Sequence, residues 1–220
     1  MSNALARPLR LLTIEGGEGA GKSTVVRVLR DALLAEGAEV VTTREPGGTP
    51  LAERIRGLLL EAGDEPVHPH TELLLMFAAR AQHVQQRVQP ALARGAWVIS
   101  DRFTDSSYAY QGAARGIETA FIAELERRVV GIEPGLTLLL DLDVTHARER
   151  TRGRDLLGGV SPDRIERERD EFFQRVRAGF LARAAQHPER IRVIDARPDP
   201  DTVAAAALAV LSEYRRVHGL

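Results

Sequence analysis

All but one of the 30 basic residues in this chain are arginine, and the exception is Lys22. It falls within Gly16-Gly17-Glu18-Gly19-Ala20-Gly21-Lys22-Ser23, with Thr24 next. A glycine, four residues and Gly-Lys-Ser is chemistry for a polyphosphate. Glycines let successive backbone N–H groups turn toward phosphate oxygens, and a helix starting at the lysine presents its N-terminus to the same anion. Lys22 is placed to reach the β and γ phosphates, and the Ser23 hydroxyl to coordinate Mg²⁺. A composition that uses arginine nearly everywhere keeps lysine where a slim ammonium is required. Glu18, inside the loop, puts a carboxylate beside that anion. We therefore expect it near the acceptor phosphate with Mg²⁺ or an arginine close by.

A second group of polar residues is spread over three segments. Arg44-Glu45-Pro46-Gly47-Gly48-Thr49 is loop chemistry and is followed by Arg56; Phe77 and Arg80 are three apart on a helical stretch; and Asp101-Arg102-Phe103-Thr104-Asp105-Ser106-Ser107-Tyr108-Ala109-Tyr110-Gln111-Gly112 follows an apolar run. A third group is basic: His146 to Arg154 carries Arg148, Arg150, Arg152 and Arg154.

These groups need a frame. Apolar runs at Leu9–Glu15, Glu39–Thr43, Ala96–Ser100, Leu136–Asp141 and Ile191–Ala196 read as buried strands. Helical spacing fills the intervals: Ser23–Ala35, Leu51–Glu61, Thr71–Arg94 with a kink or the start of a separate turn at Pro90, Ser106–Gln111, Glu118–Val130, Thr145–Arg150, Asp163–Gln186 and Pro200–Val217. Polar, Gly-containing Arg152–Pro162 reads as mobile. Apolar strands alternating with helices mean an α/β protein, a parallel sheet covered on both faces. Ligands of such sheets bind at the carboxyl ends of the strands, where the first two groups fall. The 220 residues form one domain, with a lid at about 150–162.

The phosphate loop with its internal Glu, Arg-Glu-Pro-Gly-Gly-Thr, Phe-Ala-Ala-Arg-Ala-Gln-His and Asp-Arg-Phe…Ser-Ser-Tyr-Ala-Tyr-Gln-Gly, in this order, resemble thymidylate kinase. The resemblance runs from the first strand to about residue 186. It implies a three-layer P-loop kinase fold, a five-stranded sheet in the order 2-3-1-4-5, conversion of dTMP to dTDP with ATP and Mg²⁺, and a homodimer. It also implies roles. Phe77 would stack on thymine, although the family's aromatic sits four residues before the arginine, where this chain has Met76. Arg80 would donate to a thymine carbonyl. Ser107 and Gln111 would complete the reading of the base edge, and Tyr110 would lie under the deoxyribose. Arg56 and Arg102 would hold the dTMP phosphate, Asp101 would orient Mg²⁺, and Glu45 would approach the sugar or the metal's water. The basic catalytic residue, Arg152 or Arg154, would come from the lid, as in the bacterial branch; Asp163-Arg164-Ile165-Glu166 follows in the family's manner.

Composition narrows the alternatives. With no cysteine, disulfide scaffolds, thiolate-zinc sites and thiol nucleophiles are excluded. A formal charge of −1 and few aromatics argue against a nucleic-acid module. No apolar run approaches a membrane span, so a soluble cytoplasmic protein is expected. A guanine-reading Asn-Lys-x-Asp is impossible with the only lysine at position 22. Another nucleoside monophosphate or deoxynucleoside kinase, or a P-loop regulatory ATPase, remains as an alternative reading.

Overall fold

The structure, a computed structural model, describes residues 5–61, 63, 65–158 and 163–220, and only the backbone of 152–158. Five strands, β1 (Leu11–Gly16), β2 (Val40–Arg44), β3 (Trp97–Asp101), β4 (Leu136–Asp141) and β5 (Ile191–Asp195), pair in parallel in the order β2-β3-β1-β4-β5. The register brings the strand ends level: Arg44 and Ile14 both pair with Asp101, and Gly16 with Leu140. The phosphate loop and the acceptor loops thus leave from one edge.

Helices cover both faces. On one side α1 (Lys22–Ala35) and α9 (Pro200–His218) bury Leu29, Leu33, Ala207 and Leu211 against β1, β3 and β4. On the other, α3 (Pro69–His83) packs Leu73 and Phe77 with Val98 and Phe103. The helix α8 (Asp170–Gln186) adds Phe172, Val176 and Phe180 around Tyr110. Central β1 is buried along its whole length, whereas edge strand β5 buries Ile191 and Ile194 and exposes Arg192, Val193 and Asp195, as strand position dictates.

Several element expectations are corrected. The long helix of residues 71–94 is divided into α3, a π-helical turn at Val84–Val88 and α4 (Gln89–Ala93). Pro90 has no N–H for the residue four before it and its ring crowds that carbonyl, so the chain widens by one residue there. The expected helix at 118–130 is α6 (Thr119–Leu125) with a second wide turn, Glu126–Val130. Helical structure from α5 (Thr104–Ser107) continues through Tyr108–Ala114, so Gly112 lies in a helical turn and not in a loop. Residues 163–169 are not the start of α8. The Asp163 carboxylate accepts from the amides of Ile165 (2.8 Å) and Glu166 (2.9 Å), which holds a turn. Arg164 spans to the C-terminal carbonyls of α2 (Pro50–Leu60), its Nε donating to Leu59 at 2.9 Å and its amide to Leu60 at 3.1 Å. The helix α7 runs Val144–Gly158, past the expected end at Arg150. The side chains of Arg152 and Arg154, and most of the expected lid, lie outside the described residues.

Candidate active site

The loop between β1 and α1 is shaped by its glycines at two points. Gly16 has φ +136°, and a Cβ there would sit 2.5 Å from the Leu140 carbonyl oxygen, so a side chain would force β4 away. Gly21, at φ 90°, precedes the first residue of α1 in the left-handed region. The first turn of α1 has no acidic residue and no side-chain cap, which leaves this helix end electrostatically ready for an anion. The Lys22 ammonium turns back over the loop and donates to the carbonyls of Gly17 (2.8 Å) and Gly16 (3.4 Å). Burial, and then the Arg102 charge, lower its pKa to about 8.

Arg102 meets the loop from the other side. Its backbone is left-handed, φ 69°, a conformation that costs a non-glycine residue about 1 kcal/mol or more and is typical of functional sites. The Arg102 amide donates to Ile14 (2.9 Å) and its carbonyl accepts from the Ser100 hydroxyl (2.7 Å), which pins the turn. The guanidinium is thereby aimed at the phosphate loop. It donates to the Gly16 carbonyl at 2.9 Å, lies 3.6 Å from the Glu18 carboxylate and covers the Tyr110 ring at 5.1 Å. Beneath the turn, Glu15 accepts from the amides of Phe103 (2.8 Å) and Ser106 (3.3 Å) and from the Ser106 hydroxyl (2.6 Å).

One cavity is lined by Glu18, Gly19, Gly21, Lys22, Ser23, Glu45, Arg56, Asp101 and Arg102, with Arg150 at its rim. Arg150 donates to Gly19 and to the carbonyls of Arg197 and Pro198, bridging the phosphate loop and the β5–α9 connection. A second cavity continues from it and shares Glu18, Glu45, Arg56 and Arg102 with it; its other walls include Met76, Arg80, Ser107, Tyr110 and Gln111. Thus all the expected acceptor residues except Phe77 meet around one space.

Phe77 is corrected. It is 2% exposed, in the core beside Phe103, and its ring is covered by the Arg80 guanidinium at 4.7 Å. Met76, next to it, faces the cavity because consecutive helical residues point about 100° apart. Arg80 is heavily engaged: its three nitrogens donate to Glu45 (2.6 Å), the Ser107 hydroxyl (3.0 Å) and the Phe103 carbonyl (3.1 Å). Glu45 in turn accepts from or pairs with His83 at 2.8 Å, and His83 meets the Thr43 hydroxyl at 2.7 Å. Burial pushes the Glu45 carboxyl up, but Arg80 and His83 outweigh it and hold it below the usual range. Glu45 therefore buttresses Arg80 instead of reaching freely for a ligand. Arg56 donates to the Pro46 carbonyl at 3.0 Å. Asp101, at the end of β3, has one carboxylate oxygen buried without a hydrogen-bond partner. Ser23 lines the same cavity as Asp101.

Residues 14–206 match the family model for thymidylate kinase. The chain belongs to the thymidylate kinase family. Phosphorylation of dTMP is the activity that membership carries. Thymidylate kinase of Chromohalobacter salexigens is 56% identical over 208 residues, spanning 94% of this chain and 96% of its own. That of Pseudomonas fluorescens is 56% identical over 186 residues, 84% and 86% of the two chains. The crystal structure of thymidylate kinase from Ehrlichia chaffeensis superposes with a TM-score of 0.74 at 32% identity, covering 91% of this kinase and 97% of that chain. The strand order expected from the resemblance is the one observed.

Sequence reading gave no role to Glu15, Glu72 or Asp105 of this kinase's site. Glu15 could have been flagged as a charge closing an apolar strand. Asp105 sits within a quoted motif and still gave no sign of its partners, Arg183 and Arg190, which lie about 80 residues away. Glu72 carries no local signal, because its partners come from other segments; Arg164 sits within a quoted motif and gave no sign of its bond to Glu72. No helix among the described residues is long and apolar enough to cross a membrane.

Proposed function

We propose that this kinase transfers the γ-phosphoryl group of ATP to the phosphate of dTMP in line, with Arg56 and Arg102 holding the acceptor phosphate and Lys22 the donor. The observation that carries the reading is the shared wall: Glu18, Glu45, Arg56 and Arg102 line both the cavity over the phosphate loop and the one walled by Met76, Ser107, Tyr110 and Gln111. Two anionic nucleotides entering from opposite ends would meet at these arginines. Phosphoryl transfer asks the protein mainly for positioning and charge stabilisation. The acceptor phosphate is already anionic near neutral pH, so no protein base is needed. Arg102 is held against the loop before substrate arrives, which lowers the reorganisation required.

The donor set fits Mg²⁺. Asp101, with one unpartnered carboxylate oxygen, and Ser23 both line one cavity and offer hard oxygen donors. When bound, the ion would neutralise charge on the transferring phosphates. Met76 forms an apolar wall for the base, and Tyr110, wedged against Phe172 and Phe180 with centroids 6.1 Å away, a rigid one for the sugar. Arg152 or Arg154 would supply the remaining cation.

The kinase works in the cytoplasm as a homodimer in this reading. Leu58 on α2 and Leu74 on α3 are 62% and 50% exposed on packed neighbouring helices, an apolar face suited to a second copy. Sedimentation should give about twice the 24.1 kDa chain mass.

A coupled ADP-release assay tests the function against dTMP, dUMP, AMP, GMP, CMP and thymidine, and without acceptor. dTMP should be the best acceptor. Equal turnover with no acceptor would mean an ATPase and would overturn the reading.

A further inference from the structure

Behind Gln111, which lines the cavity, lies a buried carboxylate that no motif announced. Glu72, in the first turn of α3, is 1% exposed. One of its oxygens accepts from the Gln111 side-chain nitrogen at 2.8 Å and from Arg115 Nε at 3.4 Å. The other accepts from Arg164 at 2.8 Å and from Arg115 at 3.2 Å. Burial pushes the Glu72 carboxyl up, but the Gln111 hydrogen bond and the two arginines outweigh it and keep it below the usual range. It is a carboxylate at neutral pH and can only accept.

An acceptor-only neighbour settles a question that glutamine leaves open. An amide offers an NH₂ at one end and a carbonyl oxygen at the other, and it can be turned over at little steric cost. Here the NH₂ end is committed to Glu72, so the carbonyl end is what Gln111 has for the cavity it lines. Thymine carries an N–H at N3, while cytosine carries a lone pair there. A carbonyl oxygen bonds the first and repels the second.

We propose that Glu72 is a positioning residue for base selection, holding Gln111 as an acceptor toward the N3 edge so that a thymine-type imide is taken and a cytosine-type ring refused. This rests on the reading that Gln111 meets the base. The same carboxylate ties Arg164, in the turn after the expected lid, to Gln111, so the base reader and that turn share one anchor.

Glu72→Gln makes the sharpest test. The atom that faces Arg164 (2.8 Å) and the terminal Arg115 nitrogen (3.2 Å) must remain an oxygen, since both only donate, and the longer 3.4 Å contact of Arg115 Nε to the other atom is given up. The amide nitrogen then faces Gln111, which turns over and shows its NH₂ to the base. The kcat/KM ratio of dTMP to dCMP should fall roughly ten- to a hundredfold, the size expected for one buried hydrogen bond reversed. KM for ATP should stay within about twofold, because the donor cavity is not touched. A loss of packing alone would lower both nucleotide efficiencies together and leave the ratio in place; that result overturns the proposal. Glu72→Asp keeps an acceptor-only group and should hold the ratio within about threefold even at lower rate, and it serves if the glutamine variant does not fold. Collapse of the ratio in Glu72→Asp also overturns the proposal. Gln111→Leu separates the two readings. If it leaves dTMP kinetics unchanged, Gln111 does not meet the base and the underlying assignment fails. If it lowers the ratio while folded Glu72→Gln does not, the assignment stands and the role of Glu72 falls.

Discussion

The Glu15 carboxylate accepts a hydrogen bond from the Phe103 amide at 2.8 Å, across 88 residues of chain. Glu15 is the penultimate residue of β1, directly before Gly16 and the phosphate loop, and Phe103 directly follows Arg102. One buried side chain thus fastens the acceptor-arginine turn to the strand that carries the donor loop. Two loops that must hold reacting groups at fixed separation are joined without depending on the lid.

That bond carries a pH signature. Burial, and then the Asp105 charge, raise the Glu15 pKa from 4.5 to about 7. Between these values an unfolded chain releases the proton while the native one keeps it. Its contribution to stability is therefore full below pH 4.5 and declines as pH rises to about 7. Glu15→Gln imitates the protonated form and removes the dependence. Urea unfolding across pH 5 to 8 should show the wild type losing stability relative to the variant as pH rises. A constant difference would mean that Glu15 titrates normally.

Lys22 titrates on the other side of neutrality. With its pKa lowered to about 8, part of the free enzyme holds a neutral amine at that pH. Donor phosphates would restore the charged form, so ATP binding should take up protons at pH 8 and above. Calorimetry in buffers of different ionisation enthalpy reads this directly. Uptake should vanish in Lys22→Met, and turnover should fall by about 10³-fold or more, as expected when a charge-stabilising group is lost.

How much of this was legible beforehand follows the range of each interaction. The phosphate loop could be read because its chemistry is local: glycines, Lys22 and Ser23 are neighbours in sequence and in space. The central strands β1, β3 and β4 could be read because strands buried on both faces leave nearly unbroken apolar runs. Phe77 misled because Met76 and Phe77 are both apolar and only the rotation of α3 decides which one faces the cavity. The start of α8 misled because helical spacing runs on from residue 163, yet the Asp163 carboxylate holds a turn and Arg164 is drawn to the carbonyls ending α2. Glu72 was invisible for the same reason: Gln111, Arg115 and Arg164 reach it from other segments.

Asp101 offers a metal test. Its unpartnered oxygen is the only such carboxylate oxygen among the described residues that also lies on a residue lining the phosphate cavity. Asp101→Asn keeps the shape and removes the charge. The Mg²⁺ concentration for half-maximal rate should rise about tenfold or more, with kcat reduced, while dTMP binding without metal is unchanged. An unaltered Mg²⁺ dependence would remove Asp101 from the metal site.

Asp105 is the counterweight below the acceptor turn. Arg190 grips it with two bonds of 2.7 Å, and Arg183 adds a third of 2.9 Å. Arg190 is fully buried and cannot turn to water when its partner is lost, and Arg183 lies 3.8 Å over the Tyr108 ring. Burial pushes the Asp105 carboxyl up, but Arg190 and Arg183 outweigh it and hold it below 3.8. Its contribution is then present above pH 3.8 and lost as pH falls through the depressed value. Asp105→Asn should cost about 3–5 kcal/mol in urea unfolding, the range for stranding a buried charge. Asp105 sits one residue before Ser106 and three after Arg102, so KM for dTMP should rise as well. Replacing Arg190 by Met in the same chain should recover part of the loss, since one stranded charge is then gone. A double variant as unstable as the sum of the two single ones would show that Asp105 and Arg190 do not act as a pair.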